Sequence, residues 1–347
     1  MAPRRHESSY GCARDCGKHW VLCATFRAAC GADREIVEVP PPPDVSVVMA
    51  AFNSASQIDA SMASILEQQG VALELIVVND GSTDSTGSCA DKWAAIDPRV
   101  RVVHQPNRGL TAALARGCAE ARGRFLARQD AGDISLPGRL NAQLAAAAST
   151  PNAAIVSVWT RYVGPEGELL YDVTPDPDEA QQRLETTNLQ QVRGPSHHGA
   201  TLFPKLLYDR VGGYRTAFYF AQDLDLWTRL IEYGDHVVVP QIGYQALIGV
   251  SSISATNRNR QVRSAKLILR CAERRRRGES ELDLLSAARR IQPKARAVSR
   301  RGQAQALYFL GECLRRRRDP RARSYFNRAL SVYPLHIKSL LRLAQLG

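Results

Sequence analysis

Three short acidic clusters in the sequence are spaced so that each could meet a ligand. The first, Asn79-Asp80-Gly81-Ser82-Thr83-Asp84, follows the apolar run Leu73 to Val78. A carboxylate in such a turn can accept hydrogen bonds from a nucleobase or a ribose, Gly81 permits close backbone approach, and Ser82 or Asp84 can cap the next helix. The same residues equally describe a strand-to-helix turn with a good cap and no ligand. The second cluster, Gln129-Asp130-Ala131-Gly132-Asp133, follows Phe125 to Arg128. Two carboxylates there suit a hard divalent cation, Mg²⁺ or Mn²⁺, shared with a diphosphate; alone, the turn could simply cap the helix that begins near Pro137. The third is Ala221-Gln222-Asp223-Leu224-Asp225-Leu226-Trp227-Thr228-Arg229. Asp223 stands at a helix start, where it could be the cap, and Asp225, Arg229 and Glu232 have the spacing of surface ion pairs. Between the second and third clusters, His197 and His198 in Pro195-Ser196-His197-His198-Gly199 are either active-site contacts or loop histidines.

The elements that must position these residues alternate in period. Val45 to Ala50 reads as a strand. Ser54 and Gln57 have capping-box spacing, and Ile58, Met62, Ile65 and Leu66 then share a helical face. Leu73 to Val78 reads as a buried parallel strand, Asp84 to Ile96 as a helix, Val100 to His104 as a strand, Leu110 to Ala121 as a helix and Phe125 to Arg128 as a fourth strand. This order predicts an α/β fold with a mostly parallel sheet and helices on both faces, its ligands at the carboxyl ends of the strands. Three segments result: residues 1–43 as a poorly ordered extension ending in a Pro-rich linker, 44–255 as the catalytic domain, and 256–347 as a basic helical region. In the last, Leu307, Leu310, Gly311 and Leu314 followed by Ala322, Phe326, Ala329 and Pro334 resemble one tetratricopeptide helix pair. One such pair cannot bury its own face, so it should dock on the catalytic domain or on a partner.

Composition bounds the partners. At 44% hydrophobic, 347 residues can bury a sizeable core. No apolar stretch reaches the roughly 18 residues of a membrane span, and the N-terminus has no apolar core resembling a secretion signal. The expected location is therefore cytoplasmic, with a peripheral place at the inner face of a membrane. Cys12, Cys16, Cys23 and Cys30 lack close C-x₂-C pairs, so reduced thiols are expected in preference to a zinc site. From Thr256 onward there are 24 Lys and Arg against 6 Asp and Glu, a net +18, while residues 1–255 carry −6. Such a tail suits an anionic membrane surface, a polyanionic acceptor or nucleic acid, composition alone not choosing among them, and no specific nucleic acid is expected as a partner. The runs Arg274 to Arg277 and Arg315 to Arg318 read as solvated faces or as anion-binding sites.

Together these motifs give a resemblance. From Asp44 to about Val262 the chain is similar to the family 2 glycosyltransferases of GT-A fold, a Rossmann-like fold whose members of this family are inverting and use nucleotide sugars. The segment Val45 to Asn53 resembles the opening strand S-V-I-I-P-T-Y-N, and Val77 to Asp84 resembles the nucleotide turn. Ala127 to Pro137 resembles the stretch bearing the D-x-D metal motif. Gly212-Gly213-Tyr214-Arg215 followed by Gln222 to Trp227 resembles G-G-Y-R and E-D-x-D-L-W of the acceptor half. The chain departs from that pattern at Ala50-Ala51, at Gln222 and at Gly132, which stands where the second Asp of D-A-D-D is placed and leaves Asp133 as the substitute.

The resemblance implies Asp80 at the nucleoside, with Ala51, Asn53, Gly81, Ser82, Arg108, Arg128 and Asp130 completing the nucleotide side. It implies Asp130 and Asp133 as ligands of Mg²⁺ or Mn²⁺, and Asp223 as general base. His197, His198, Gln222 and Trp227 become candidates on the acceptor side. The function expected is inverting transfer of a sugar from a nucleoside-diphosphate sugar to a hydroxyl of a saccharide or lipid-linked acceptor, in polysaccharide, cell-envelope glycan or glycolipid synthesis. A sugar nucleotidyltransferase, or a degenerate transferase binding anionic surfaces, are the competing readings.

Overall fold

A computed structural model of the protein describes residues 41–249, 257–293 and 299–346. Of the expected extension over 1–43, residues 1–40 with the four cysteines lie outside the described residues, as does the boundary at 255. The nucleotide half alternates as the sequence pattern requires: β1 (Val45–Ala51), α1 (Ile58–Leu66), β2 (Leu73–Asp80), α2 (Thr86–Ile96), β3 (Val100–Gln105), α3 (Leu110–Glu120) and β4 (Phe125–Asp130). Period-two burial divides β1 between two cores. Val45, Val47, Met49 and Ala51 pack with Ile58, Met62, Ile65 and Ala90 on one face, and Val48 packs with Ala113, Leu114 and Cys118 on the other.

The second half comprises β5 (Ile134–Ser135), α4 (Arg139–Ser149), β6 (Ala153–Val163), β7 (Leu169–Val173), α5 (Pro177–Glu185), β8 (Thr201–Pro204), α6 (Lys205–Arg210), α7 (Gln222–Leu230) and β9 (Asp235–Leu247). The sheet runs β3-β2-β1-β4-β8-β6-β9-β5, with β7 added to β6. It is parallel from β3 to β4 and mixed beyond, because β8 lies antiparallel to both β4 and β6. Register matters more for function than direction. Ala50 pairs with Asp130, and Asp80 pairs with Gln105 at the end of β3, so the strand ends bring Asp80 and Asp130 to one edge on either side of β1. Their backbones are two strand spacings apart, about 10 Å.

Some local expectations are corrected. Ser54 and Gln57 form no capping box, since no side chain caps α1; the Ser54 carbonyl accepts from the Gln57 and Ile58 amides, and its own amide donates to Thr86 Oγ1 at 2.7 Å. Ser54 is thus spent on tying the two nucleotide-side turns together. Asp225 and Arg229 are no surface pair: Asp225 is fully buried, and both Arg215 and Arg229 bond its carboxylate. Glu232 instead pairs with Arg275 at 2.8 Å.

The basic helices are α8 (Arg258–Arg276), α9 (Leu282–Arg289), α10 (Arg300–Arg316), α11 (Ala322–Val332) and α12 (Ile337–Gln345). The run Arg274 to Arg277 is not simply solvated. Arg274 bonds Asp283, Arg275 bonds Glu232 and Glu281, Arg276 donates to the Glu185 carbonyl at 2.7 Å, and Arg277 pairs with Glu279. The helix pair α10–α11 docks on the catalytic sheet. Leu307, Leu310, Leu314, Phe326 and Ala329 share a core with Leu170 of β7, the Tyr325 hydroxyl donates to the buried Glu168 carboxylate, and Arg328 reaches Glu166 at 2.8 Å. Among the described residues, no helix is long and apolar enough to cross a membrane.

At the amino edge of the sheet, β2 breaks its apolar run with Glu74, buried to 2% exposure. Its carboxylate accepts from Ser46 Oγ at 2.7 Å, from the Arg122 amide at 2.8 Å and from the Arg122 guanidinium at 2.8 Å. Burial works against the charge, but the Ser46 and Arg122 bonds outweigh it and hold Glu74 below its ordinary 4.5. Because the folded value is depressed, the stabilisation is present above about 4.5 and is lost as pH falls through the folded value. Glu74→Gln turns an amide toward Arg122 and is expected to cost about 2–3 kcal/mol near neutrality. Thermal melts should show the gap from wild type narrowing as the pH is lowered toward and below 4.5.

Candidate active site

The carboxyl edge of the sheet opens into a cavity of about 900 Å³, within the range that takes a ligand the size of a nucleotide sugar. Ala50, Ala51 and Phe52 from the end of β1 line it, with Asp80 and Asp130 from the strands on either side. Tyr219, Phe220, Gln222 and Asp223 enter from the segment that starts α7, and Gln261, Val262 and Ala265 from the first turns of α8.

Asp80 is anchored from the β3–α3 turn. Its Oδ1 accepts from Gln105 Nε2 at 2.7 Å and the Arg108 amide at 2.8 Å, and its Oδ2 accepts from the Gly109 amide at 2.8 Å. Oδ2 carries one protein donor and keeps a lone pair for the cavity. Arg108 therefore contributes its backbone here; its exposed side chain lies in a separate hollow beside Pro106 and Arg116. A Cβ on Gly81 would meet the Asn107 amide nitrogen at 2.5 Å, so glycine lets this turn close over Asp80. Asn53 and Ser82 brace the two turns: the Asn53 amide donates to Ser82 Oγ at 3.1 Å, and Asn53 Oδ1 accepts from the Thr83 amide at 2.8 Å. Asp84 accepts from the Thr86 amide at 3.0 Å and so satisfies the first turn of α2.

Beneath the cavity floor lies a buried charge system. Arg128 donates Nη1 to the Val48 and Gln129 carbonyls at 2.9 and 2.8 Å and Nη2 to the Asp130 carboxylate. Burial opposes the Asp130 charge, yet the Arg128 guanidinium holds this carboxyl below its ordinary value. Asp133 is buried, with Oδ2 accepting from the Tyr244 hydroxyl at 2.9 Å and Oδ1 from the Leu247 amide at 2.9 Å. Burial, reinforced by the Asp130 charge, pushes Asp133 up. Tyr244 also accepts from the Asp130 amide at 3.0 Å, so one phenol of β9 aligns both acids. His197 stacks on the Tyr244 ring, with its Nδ1 3.9 Å from Asp130 and 3.7 Å from Asp133. Ligand atoms of Asp130, Asp133 and His197 lie within 4.8 Å of one another, the spacing of a metal site.

Gly132 explains why the neighbouring position cannot serve. Its φ is 107°, and a Cβ there would meet Gln57 Oε1 of the α1 cap at 2.8 Å, while its amide bonds Ser61 Oγ at 2.9 Å. An aspartate would be strained and its Cβ aimed at α1.

On the far wall, Asp223 sits in the first turn of α7, after Ala221 in the left-handed region at φ 56°. Its Oδ1 accepts from the Leu224 amide at 2.8 Å. Burial pushes Asp223 above its ordinary value, more than that bond restores, and the charge of Asp130 adds to the rise. His198 lines the cavity, with Nε2 2.7 Å from the Tyr214 hydroxyl, and burial keeps it well below its ordinary pKa. Trp227 packs edge-on beneath His198 and against Gly194, in the core below the wall. Thus Asp80, Asp130, His198, Gln222 and Asp223 share one cavity, whereas Trp227 and Arg128 support it from below and Asn53, Ser82 and Arg108 shape its turns. Sequence reasoning missed Tyr244, Tyr219 and the α8 residues. The strand pattern of β9 carried no acidic or glycine signal that could have marked Tyr244.

A family model described as "Glycosyl transferase family 2" matches residues 46–208. The chain is 27% identical over 219 residues to "Chondroitin synthase" of Pasteurella multocida (strain Pm70), covering 63% of this chain but only 22% of that synthase. It is 30% identical over 200 residues to "Putative glycosyltransferase EpsE" of Bacillus subtilis (strain 168), covering 55% of this chain and 68% of the relative. The fold is similar to that of the mannosyltransferase PcManGT from Pyrobaculum calidifontis, solved in complex with GDP-Man and Mn²⁺, with a TM-score of 0.51 and 19% identity over 88% of both chains. A matched family model across the nucleotide half, and a relative at 30% identity over two thirds of its length, make this chain a member of glycosyl transferase family 2.

Proposed function

We propose that the domain transfers a glycosyl group from a nucleoside-diphosphate sugar to a hydroxyl acceptor with inversion, in the synthesis of a polysaccharide, a cell-envelope glycan or a glycolipid. The observation that carries the reading is a single cavity lined by a nucleotide-side carboxylate, Asp80, and by two further carboxylates, Asp130 and Asp223, that have different electrostatic surroundings. The names of the relatives and the GDP-Man and Mn²⁺ of the mannosyltransferase support the same chemistry.

In this reading Asp80 accepts from the nucleoside, and the ring of Tyr219, beside Gly109, borders the same part of the cavity, which Phe52 also lines. Asp130, Asp133 and His197 fit a divalent cation, Mg²⁺ or Mn²⁺. Their oxygen and imidazole atoms converge, with His197 Nδ1 exchanging the Gly199 amide it accepts from at 3.0 Å for the cation, and the upward push on Asp133 is a cost that a neighbouring positive charge would remove. When bound, such a cation draws charge from the departing diphosphate.

The remaining work belongs to side chains. Arg128 keeps Asp130 ionised and oriented. His198, held neutral, and Tyr214 share a hydrogen bond that fixes the wall beside Asp223. Asp223 takes the acceptor's proton as the hydroxyl oxygen attacks the anomeric carbon. Its raised pKa makes it a stronger base than an exposed aspartate, and a carboxylate on the wall opposite the nucleotide turn suits a single in-line displacement.

Two substitutions separate donor binding from chemistry. Asp80→Ala is expected to weaken nucleoside diphosphate binding about tenfold or more, since loss of a hydrogen bond to a charged group costs roughly 1.5–3 kcal/mol. Calorimetry with UDP, GDP and dTDP, with and without Mn²⁺, reads this and the donor class together; unchanged affinity in a folded variant leaves Asp80 as an anchor for the β3–α3 turn alone. Asp223→Asn keeps size and helix contacts but removes the base, so kcat should fall about 10²- to 10⁴-fold while donor affinity and melting temperature stay near wild type. Retention of more than about a tenth of kcat would give the base role to another group.

A further inference from the structure

Away from the cavity, the described surface has one apolar face without a partner. Leu335 is 74% exposed, Ile337 68%, Leu340 50% and Leu341 60%. On α12, Ile337, Leu340, Leu341 and Ala344 fall at i, i+3, i+4 and i+7 and share a face. The other side of the helix is the packed one. Ser339 is fully buried and bonds His336 Nδ1 at 2.8 Å, His336 lies against Tyr308, and Arg342 reaches Glu312 of α10 at 2.7 Å.

Charge decides what covers this face. Residues 299–346 hold 11 Lys and Arg against 2 Asp and Glu, a net +9. Both acids are occupied, Glu312 by Arg315 and Arg342 and Asp319 by Arg321. Arg316, Arg317 and Arg318 at the carboxyl end of α10, and Lys338 on α12, are exposed and form no salt bridge among the described residues. Glu312, which Arg342 touches, lies one turn before Arg316, so the arginine run and α12 lie at the same end of the helical array. A second copy would bring one +9 surface against another. A surface with acidic headgroups above an apolar interior answers both features.

We propose that α12 and the Arg316–Arg318 run dock this chain on an anionic lipid bilayer, with Ile337, Leu340 and Leu341 entering the boundary beneath the headgroups and the cations facing lipid phosphate. The anchors of Tyr325 to Glu168 and Arg328 to Glu166 then transmit the attitude of the docked helices to the β6–β7 hairpin of the catalytic sheet.

The test is sedimentation of the full chain with phosphatidylcholine vesicles and with vesicles containing phosphatidylglycerol, at low and high salt. At least tenfold preference for anionic vesicles at low salt is expected, lost as salt screens the arginines. Leu340→Glu with Leu341→Glu, and separately Arg316→Gln with Arg317→Gln and Arg318→Gln, should each lower partitioning at least tenfold while leaving the melting temperature unchanged, since these side chains are exposed. Hydrogen exchange of the unaltered chain gives a readout independent of any variant: anionic vesicles should protect residues 335–346. Equal partitioning to both vesicles, unaltered partitioning of the leucine variant, or protection confined to other segments overturns the proposal. So does a dimer that the leucine variant abolishes while vesicle binding is absent, which would assign the face to a second copy.

Discussion

Burying a guanidinium under an open cavity constrains most of what surrounds it. Arg128 is 1% exposed, and a charge removed from water at that depth must be matched at once by acceptors. The Val48 and Gln129 carbonyls take one nitrogen and Asp130 takes another, which fixes the Asp130 carboxylate at the cavity floor in its ionised form. Arg139, fully buried nearby, is matched by the Arg128 and Gly199 carbonyls and by the Tyr244 ring. Two buried cations also bear on the histidines. His197 lies below its ordinary pKa, lowered chiefly by burial and further by Arg128 and Arg139, so it stands beside Asp130 and Asp133 as a neutral donor or acceptor.

A second buried charge closes the opposite edge of the same strands. Glu74 joins β2 to Ser46 of β1 and to the turn before β4, and the Gly123 amide donates to the same Ser46 hydroxyl at 2.8 Å. The parallel strands are held in register from both ends, by Glu74 at the amino edge and by Asp80 and Asp130 at the carboxyl edge. Because parallel pairing places each strand end relative to its neighbour, that register delivers Asp80 and Asp130 to the cavity at a fixed separation.

The legibility of these features in the sequence follows the range of the forces involved. Strand ends were legible because apolar runs stop where polar turns begin, and that local pattern located Asp80 and Asp130. Asp223 was legible through its place in a motif with Gly213, Tyr214 and Leu226. The capping box was misread because Ser54 is engaged across the chain by Thr86, a partner that helical spacing does not reveal. Asp225 looked exposed for the same reason: i, i+4 spacing specifies a neighbour on the helix, while Arg215 arrives from ten residues earlier and Glu281 joins that arginine from α9. Tyr244 was invisible, since its role depends on β9 pairing with β5 and crossing next to Asp133, a product of topology alone.

The acceptor side has a dependence of its own on the basic helices. The guanidinium of Arg215, in the G-G-Y-R motif, bonds Asp225 of α7 and Glu281, and Glu281 also bonds Arg275 of α8. Phe218, Ile268, Cys271 and Leu284 pack in one cluster across the same junction. The helix that supplies Gln261, Val262 and Ala265 to the cavity is thus clamped to the helix that carries Asp223. Removing the basic segment would expose an apolar cluster and deprive Arg215 of Glu281 and Glu232 of Arg275, in addition to opening the wall. Part of the positive charge in this segment is consequently structural, at Arg274 to Arg277, whereas Arg263, Lys266 and Arg270 of α8 and the Arg316–Arg318 run of α10 are exposed and form no salt bridge among the described residues. That division lets one basic tail complete the cavity with one part and present a charged surface with the other.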